Sequence, residues 1–542
     1  MKLFYQIFFL SLTTGVCAQN QLWKDYFSYN NVKSLAATPS MTYYATDNSV
    51  VSHNDSSGEK KIYNTVNGLK IDDIQTIAYS GAHNKIIVGN AKGNIAIINL
   101  NNDNIHYLND IANKISLSES EKYINKILVN GAFAYVATGY GISEIRLEDN
   151  HFGDSFYPGE NGINRNIIDL AVKDQTLYAI IENEGIKKGN LQDNLIHYSQ
   201  WKLVNSDAWI NIEFINNVLT AYGNDRLYSL ENSTPTEIIT LGDNLREITQ
   251  FNGAITFAFR DRILVSDLSY NVFFSYEQNE QLKNFSTGLH KGNYVYGGSY
   301  EDGLHEIEDE IKISPNGPYS NNTFRVRNSY NNELWAIYGG HDYNFNPYGG
   351  GIKKLPFSVF KNNSWTSVPY KDHKINATSD VSFHPKNKNI AFLSSYLDGL
   401  VKVDQLNLAP TDYSFTLYNQ ENSNISYVEL DNSVRTLGVA FDESGNGWIT
   451  SSLANSNPLA KFDVNMNVST YSLGTSSNIY LKPSVDKNGT KWIPTIYDGL
   501  IGFNERINKL LYFNTGNSSL TSPVINCVTL DRNNQLWVGT KN

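Results

Sequence analysis

The sequence is poor in the features that cross-link an exported domain or carry a chain through a membrane. It has only 2 cysteines and 3 methionines in 542 residues. Cys17 falls within an N-terminal leader, so the mature chain keeps Cys527 alone and cannot form an internal disulfide. After the leader, no stretch approaches the roughly 18 continuous apolar residues of a membrane-spanning helix. We therefore expect neither a disulfide framework nor a transmembrane span.

Positive charge is also scarce. The chain has 43 Lys and Arg against 54 Asp and Glu, a formal net charge of −11 and a pI near 5.4. Nucleic-acid binders usually show a basic footprint, and an acidic protein is not drawn to anionic membranes as a whole. The composition argues against nucleic acid as a partner.

Motifs for catalysis and for cofactor binding are missing as well. The 10 histidines are dispersed, without an HExxH pattern, and there is no GxSxG elbow or phosphate-binding loop. His341 and His384 read as surface or turn residues, and the glycines at 349–351 lack the strand and helix that phosphate binding requires. The sequence thus assigns no catalytic, cofactor-binding, metal-binding or ligand-binding residue. It predicts a protein that is not an enzyme and needs no cofactor.

What the chain does have is one short phrase that occurs three times near the end. It reads DESGNGWITSS, DKNGTKWIPTIYDGL and DRNNQLWVGTKN, with an aspartate followed six residues later by Trp448, Trp492 or Trp537. The tryptophans are 44 and then 45 residues apart. A fixed period in the forties, carried by strands and turns, is typical of β-propeller blades.

The first copy partly fits a calcium loop. Asp442, Ser444, Asn446 and Gly447 occupy positions 1, 3, 5 and 6 of an EF-hand, but the bidentate Glu at position 12 is missing and Leu453 stands there. In the second copy that position is a tyrosine. The alternative is an Asx-type turn in which the aspartate satisfies local backbone amides. We favour the turn, with the tryptophans packed between blades.

The same period reveals weaker copies upstream. Seven second strands, 37 to 49 residues apart, are predicted around Tyr44, Ile87, Val136, Ala179, Leu219, Thr256 and Val295. Period-2 runs such as IQTIAYS and KIIVGNA, separated by short polar turns, are typical of strands. Seven blades lie within the usual propeller range. The sequence predicts an all-β protein, with brief helical character only near residues 109–123.

The domain organisation follows from these repeats. Residues 1–18 form a signal peptide with an apolar stretch and a Val-Cys-Ala cleavage site, and residues 19–313 form the first propeller. The breaker cluster from Pro315 to Pro318 marks the boundary. Residues 314–542 form a second propeller of about four and a half blades, with second strands at Trp335, Phe392 and the three repeat tryptophans. A propeller must close its ring, so we expect the second propeller to be truncated in this sequence.

Two further features carry expectations about individual residues. The long spacing after Trp335 implies an inserted loop, and residues 339–351 place His341, Asp342, Tyr343, Phe345 and Tyr348 among glycines. Such a loop either presents aromatic side chains to a glycan or protein partner or packs on itself; both remain open.

Cys527 is predicted to be a small buried apolar side chain.

Parts of the sequence resemble two known families. The repeated phrase is similar to the regulator-propeller repeat of Bacteroidetes. NGLKIDDIQTIAYSGAHNKIIVGNAKGNIAIINL (67–100) and INKILVNGAFAYVATGYGISEIRLEDNHFGDSFYPGENG (124–162) resemble the PorZ-like family of the type IX secretion machinery, most specifically at residues 140–142 and 159–162.

This resemblance implies two seven-bladed propellers and a C-terminal β-sandwich, located at the outer-membrane surface. It also implies partners: a PorU-like sortase, PorV-like and PorQ-like proteins, and an anionic lipopolysaccharide that is passed to the sortase for cargo anchoring. The resemblance transfers no catalytic residue. Because the chain is acidic, a local basic or aromatic pocket would have to bind the anionic glycolipid.

Our first hypothesis is therefore a non-enzymatic binding and scaffold component of the type IX attachment complex. The alternative is the extracellular or periplasmic, oligosaccharide-sensing propeller domain of a hybrid two-component regulator, with a membrane span and kinase downstream. A third hypothesis, a propeller glycosidase or lyase, would require a pair of acid–base carboxylates. Sialidase Asp-boxes place the tryptophan five residues after the aspartate, not six.

Overall fold

The computed structural model describes residues 24–232, 234–347, 354–475 and 478–541. The expected signal peptide lies outside them. The chain is all-β and divides into two compact units, Met1–Pro315 and Asn316–Asn542. The units are tandem β-propellers built from four-stranded antiparallel sheets, each with its strands in sequence order from the axis outward.

In the described part of the first unit there are seven such sheets, which form blades 1 to 7. Blades 1 to 3 contain β1 Val32–Ala37, β2 Met41–Thr46, β3 Ser49–Asn54, β4 Lys60–Asn64; β5 Ile74–Ser80, β6 Lys85–Asn90, β7 Ile95–Asn99, β8 Ile105–Leu108; β9 Ile124–Asn130, β10 Phe133–Thr138, β11 Ile142–Arg146, β12 His151–Phe156. Blades 4 and 5 contain β13 Ile167–Lys173, β14 Thr176–Ile181, β15 Gly185–Asn190, β16 Lys202–Asn205; β17 Asn211–Ile215, β18 Val218–Gly223, β19 Arg226–Ser229, β20 Thr236–Thr240. Blades 6 and 7 contain β21 Leu245–Phe251, β22 Ala254–Phe259, β23 Arg262–Asp267, β24 Val272–Glu277; β25 Phe285–Lys291, β26 Tyr294–Ser299, β27 Leu304–Glu306, β28 Ile311–Lys312. All seven predicted second strands are confirmed.

The second unit repeats this design. Its described residues form four four-stranded sheets and one two-stranded sheet. They contain β29 Arg325–Asn328, β30 Leu334–Ile337, β31 Phe357–Lys361, β32 Ser364–Val368; β33 Thr378–Phe383, β34 Ile390–Ser395, β35 Leu400–Asp404, β36 Ser414–Tyr418; β37 Ala440–Phe441, β38 Gly447–Thr450, β39 Leu459–Phe462, β40 Val468–Tyr471; β41 Ser484–Val485, β42 Thr490–Pro494, β43 Leu500–Asn504, β44 Lys509–Phe513; β45 Ile525–Leu530 and β46 Leu536–Thr540. The predicted second strands at Trp335, Phe392 and the three repeat tryptophans are confirmed.

Helices are short and lie in loops. Among the described residues they are α1 Asp110–Asn113, α2 Glu119–Lys122 and α3 Tyr370–His373, with 3-10 turns at Glu160–Gly162, Tyr198–Gln200, Pro410–Asp412 and Glu505–Ile507. The first two lie within residues 109–123, where the sequence indicated brief helical character.

Apolar side chains fill the space between neighbouring blades of the first unit. In the second blade, Ile87, Ile95 and Ile97 pack against Ile124 and Ile127 of β9. The sheets approach so closely that a Cβ on Gly89 would lie 2.7 Å from Ile124 Cγ2. The alternation of buried residues along each strand therefore serves blade-to-blade packing, which is the core of a propeller.

The first ring is closed by the same kind of contact. A Cβ on Gly298 in β26 would lie 2.7 Å from Val32 Cγ1 in β1, and Val32 packs in one cluster with Tyr296. The Lys291 ammonium forms an ion pair with Asp55, whose side chain is 9% exposed. Blade 7 thus packs on blade 1 without exchanging a strand.

Two long connections interrupt the second unit. Residues 338–356 join β30 to β31, and residues 419–439 join β36 to β37. The first contains the insert that the sequence predicted at 339–351, although Tyr348 and the glycines at 349–351 lie outside the described residues. Both insertions account for the long spacing between successive blades.

Candidate anion-binding site

A buried carboxylate surrounded by cations lies on the innermost strands of the second unit. Asp380 of β33 has a side chain that is 0% exposed. Arg327 Nε lies 2.8 Å from its Oδ1 and Arg325 Nε lies 3.9 Å from the same oxygen. Lys482 Nζ donates a hydrogen bond of 2.9 Å to Oδ2. Three cations thus share one carboxylate, which leaves two positive charges unbalanced.

The strand geometry explains why these side chains meet. Arg325 and Arg327 are two residues apart on β29, so they point to the same face of the sheet. Lys482 precedes β41 by two residues and also donates to Ser382 Oγ at 2.9 Å. Each of these strands opens its own blade, so the cations approach Asp380 from different sheets.

Gly438 permits this close approach. A Cβ at this position would lie 2.6 Å from Asp380 Oδ2 and 2.7 Å from Lys482 Cδ, and its φ of +132° is one that side-chain-bearing residues rarely adopt. A larger residue at this position would push the lysine and the carboxylate apart.

The cations line an open cavity of about 450 Å³. The side chains of Arg325, Arg327 and Lys482 are 37%, 35% and 34% exposed. His341, Phe345 and Leu437 add an aromatic and apolar wall, and none of the described lining residues is acidic. The volume suits a charged sugar or a phosphate group, since ligand pockets usually measure about 300–1,000 Å³.

Burial makes these cations costly when no anion is present. It lowers the pKa of the Arg325 guanidinium, although Asp380 partly offsets the effect. It also lowers the pKa of the Lys482 ammonium, again against the pull of Asp380. Within the described residues, Arg325 Nε is buried and makes no hydrogen bond. Asp380 Oδ1, 3.9 Å away, lies beyond hydrogen-bonding distance of this donor.

The insert contributes the aromatic wall. The His341 ring stacks on Phe345 with centroids 4.4 Å apart and packs against Tyr396 at 4.9 Å. Its Nδ1 donates to the Asp342 carbonyl oxygen at 2.7 Å, and burial lowers the pKa of the imidazole. The ring is therefore neutral at pH 7 and leaves Nε2 as an acceptor.

The described part of the insert packs on itself, because the Asp342 carboxylate accepts hydrogen bonds from the Asn344 and Asn346 amides at 2.8 and 2.9 Å. Presentation of its aromatic side chains to a partner stays a prediction. The insert also lines the cationic cavity and a neighbouring cavity of about 370 Å³ that shares His341. Tyr343 is 91% exposed.

The three-fold phrase forms Asx-type turns, as predicted. Asp442 Oδ1 accepts from the backbone amides of Ser444 and Asn446 at 3.0 and 2.9 Å, and Oδ2 accepts from the indole Nε1 of Trp448 at 3.1 Å. The other copies repeat this bond, at 3.0 Å in Trp492 and 3.4 Å in Trp537. The indole bond explains the spacing of six residues.

Other predictions had mixed outcomes. Trp448 is fully buried between sheets, but Trp537 is 62% exposed. The prediction of a buried Cys527 was wrong: the cysteine is exposed at the rim of the cationic cavity. It lies on a two-stranded sheet, and among the described residues no further sheet covers that face. His384 lies in a turn as expected, and its Nδ1 accepts from the amides of Lys386 and Asn387.

A second ionic cluster lies on the innermost strands of the first unit, and its charge is of the opposite sign. Lys126 Nζ lies 3.9 Å from Asp169 Oδ1 and 3.7 Å from Glu247 Oε1. Burial raises the pKa of Glu213 to about 7, Lys126 lowers it, and Asp169 raises it further. One lysine thus faces three carboxylates.

The fold places the chain in the class of tandem β-propellers, with a cationic cavity beside the inner strands of the second unit. Residues 42–202 match the family described as "TSS9, PorZ, N-terminal beta-propeller domain", and residues 519–542 match the two-component regulator propeller. The first propeller is therefore similar to the PorZ N-terminal propeller, as its sequence indicated.

A solved structure shares the fold. PorZ of Porphyromonas gingivalis, described as an essential bacterial surface component of the type IX secretion system, superposes with a TM-score of 0.81. The two are 17% identical over 96% of this chain and 72% of the other. The extracellular domain of a hybrid two-component system from B. thetaiotaomicron has a TM-score of 0.41 and 15% identity over 94% and 74% of the chains. No curated protein matches the sequence.

Among the described residues, no helix is long and apolar enough to cross a bilayer. No group of three or more His, Cys, Asp or Glu side chains in the same ranges is arranged to hold a metal ion.

Proposed function

We propose that this chain is a non-enzymatic surface component of a type IX secretion attachment complex, and that its cationic cavity binds anionic lipopolysaccharide. The observation that carries the proposal is the excess of two positive charges around Asp380. In an acidic chain, this cavity supplies the local basic pocket that an anionic glycolipid requires.

The donors in the cavity match the oxygens of a phosphate or carboxylate. Arginine carries five N–H donors in a planar fork suited to such groups, and a lysine ammonium carries three donors. The Lys482 ammonium donates to Asp380 Oδ2 and to Ser382 Oγ, which leaves its third N–H for a ligand. Asp380 holds the cations in place, so an anion that enters meets a preorganised set of donors.

The partial exposure of the cations suits a carrier. The three cationic side chains of the cavity are each about one-third exposed. A bound headgroup would therefore keep contact with solvent and could leave again. Attraction between partly exposed charges is weakened by salt. We propose that the glycolipid is passed on to a PorU-like sortase, with PorV-like and PorQ-like proteins as partners at the outer-membrane surface.

Complementation in the bacterium that encodes the chain tests this proposal. The gene is deleted and restored as wild type, as the double variant Arg327→Gln with Lys482→Gln, or as Lys402→Gln. Lys402 pairs with Asp404 at 2.9 Å on β35, in the same blade as Asp380, and serves as the matched control. We expect cargo to be unanchored in the deletion and in the double variant, and anchored in the other strains.

The outcomes separate the parts of the proposal. Normal surface display of cargo in the deletion strain would refute a role in attachment. Full rescue by the double variant would keep that role but remove the cavity from it. The alternative, an oligosaccharide sensor, predicts instead that deletion abolishes glycan-dependent transcription and leaves cargo anchoring intact; the regulator-propeller match at residues 519–542 favours testing it.

A further inference from the structure

The first unit contains a cleft whose chemistry differs from that of the cationic cavity. Its volume is about 560 Å³, and it opens between blades 3 and 4, where the innermost strands β9 and β13 begin. Amides dominate its lining, together with one aromatic ring and carboxylates. The lining residues that matter below are Tyr123, Asn125, Asn164, Asn166, Glu182 and Asn183.

Hydrogen bonds within the protein fix part of this lining. Asn125 Nδ2 donates to Asn166 Oδ1 at 2.7 Å and to the Ile167 carbonyl oxygen at 2.8 Å. Asn164 Nδ2 donates to Glu121 Oε1 at 2.7 Å. These bonds set the orientation of each amide, so the remaining donors and acceptors have defined positions.

Several polar groups at the cleft are not used in hydrogen bonds within the protein's described residues. Within the residues that the structure describes, Asn166 Nδ2, the Asn183 amide and the Glu182 carboxylate have no side-chain hydrogen-bond partner. Asn183 adopts a φ of +63° in the turn between β14 and β15, a conformation that asparagine tolerates. The cleft thus offers neighbouring donors and acceptors, the pattern that adjacent hydroxyl groups of a sugar can satisfy.

One aromatic ring completes the cleft. Tyr123 is 37% exposed, and its hydroxyl donates to Gln75 Oε1 at 2.6 Å. That bond anchors the far end of the ring while its body remains accessible. A fixed tyrosine ring with one apolar face provides a surface on which the C–H face of a sugar can stack.

Glycine at position 139 brings a wall of the cleft into place. A Cβ there would overlap the Ser120 carbonyl oxygen and lie 2.7 Å from Glu121 Cα in α2. The Gly139 amide donates to the Tyr123 carbonyl oxygen at 3.1 Å. The helix therefore rests directly on the backbone of the β10–β11 turn, which makes the cleft a built feature of the fold.

The charge of the cleft selects against anions. Of the described residues that line the cleft, one is cationic: Arg165, which pairs with Glu184 at 2.8 Å. Hydrogen bonds from Asn164 and then Ser118 lower the pKa of Glu121, so that carboxylate stays ionised, and Glu182 adds a second negative charge. A phosphate or uronic acid would be repelled here, whereas uncharged hydroxyl groups would not.

We infer that this cleft binds a neutral saccharide. Tyr123 stacks on a sugar ring, and Asn166, Asn183 and Glu182 bind its hydroxyl groups. The inference does not depend on the anionic ligand proposed for the second unit, because the two sites share no residue and prefer ligands of different charge.

Affinity electrophoresis of the full chain tests this inference. Native gels are cast with laminarin, xylan, dextran or galactomannan as neutral probes and with polygalacturonate as an anionic probe; the net charge of −11 carries the protein into the gel. We expect retardation by at least one neutral polysaccharide and none by polygalacturonate. Tyr123→Ala and Asn183→Ala should each weaken the interaction about tenfold, while Tyr123→Phe keeps most of it.

Control variants distinguish ligand contact from a loss of structure. Tyr294→Ala removes a ring that is 42% exposed on another blade and should leave retardation unchanged. Arg327→Gln should do the same. The inference is overturned if no neutral probe retards the chain, if only polygalacturonate does, or if Tyr123→Ala migrates like the wild type on the probe that binds.

Discussion

The Lys482 ammonium donates a hydrogen bond of 2.9 Å to Asp380 Oδ2, although 102 positions separate the two residues in the sequence. The fold brings them together because each lies at the innermost edge of its own blade. Arg325 and Arg327 join them from a third blade, and the result is a concentrated positive site in an acidic chain. The proposed binding of an anion depends on this convergence.

Removing the Asp380 carboxylate should show how strongly the three unpaired cations lower the stability of the fold. Asp380→Asn leaves three positive groups facing one another and is expected to lower the free energy of unfolding by about 3–5 kcal/mol in chloride buffer, the range for breaking a buried ion pair. Phosphate at equal ionic strength should restore part of the loss, since it can supply beside the cations the negative charge that the amide lacks. Urea unfolding followed by tryptophan fluorescence measures both values.

The matched control for that variant is Asp404→Asn. Asp404 is 30% exposed and pairs with Lys402, so its loss should cost about 1 kcal/mol or less in either buffer. An equal loss of stability in chloride and in phosphate for Asp380→Asn would contradict an anion-binding role for the cations.

The repeated phrase predicts a graded effect on stability. Asp442→Ala removes the carboxylate that accepts from two backbone amides and from the indole of the fully buried Trp448. It should cost about 1–3 kcal/mol because buried donors are left unsatisfied. Asp531→Ala removes the acceptor of two backbone amides and of the Trp537 indole, but that indole is 62% exposed and Asp531 lacks the side-chain bond that Asn446 Nδ2 donates to Asp442, so its loss should cost clearly less. Equal losses for the two variants would show that burial of the indole does not matter.

The ionic cluster of the first unit predicts a pH dependence. Burial, opposed by Lys126, raises the pKa of Glu213 to about 7, above the ordinary glutamate value near 4.3. In the window from about 4.3 to 7 the folded chain holds more protons than the unfolded chain, so this group lowers stability as the pH rises.

Glu213→Gln should remove that dependence. At pH 8 the variant is expected to be more stable than the wild type by about 1–3 kcal/mol, since one pKa unit corresponds to 1.36 kcal/mol, and the difference should shrink at pH 5. Urea midpoints at the two pH values measure it. A variant that is equally destabilised at both would indicate that Glu213 is ionised and paired throughout.

Closure of the first ring predicts a strong effect at one ion pair. Lys291 and Asp55 have side chains 5% and 9% exposed, and Tyr296 and Thr42 also donate to Asp55. Lys291→Met leaves the carboxylate buried without its cation and should cost about 3–5 kcal/mol. Lys92→Met breaks an exposed pair with Asp72 and should cost about 1 kcal/mol or less; thermal unfolding of both variants makes the comparison.

The blades could be predicted from the sequence because their signals are local. Each Asx turn, each alternating strand and the period of the tryptophans lies within a few dozen residues, so all predicted second strands were found. The insert at 339–351 was visible for the same reason, as an excess of spacing after Trp335.

The candidate site could not be predicted, because its members are not local. Arg325 and Arg327 read as an ordinary alternating strand, and neither Asp380 nor Lys482 stands in a motif. Only the arrangement of blades around an axis brings them within hydrogen-bonding distance. The exposure of Cys527 escaped prediction for a related reason: a strand that looks like a core strand has an open face when no sheet covers it.

The most direct test of the account is the affinity of the purified full chain for lipopolysaccharide prepared from the bacterium that encodes it. The wild type and Lys402→Gln should bind equally, and binding should weaken as salt is raised. The double variant Arg327→Gln with Lys482→Gln should bind at least about tenfold more weakly, a loss of about 1.4 kcal/mol. Equal affinity of the double variant and the wild type would contradict the assignment of the cationic cavity as the anion-binding site.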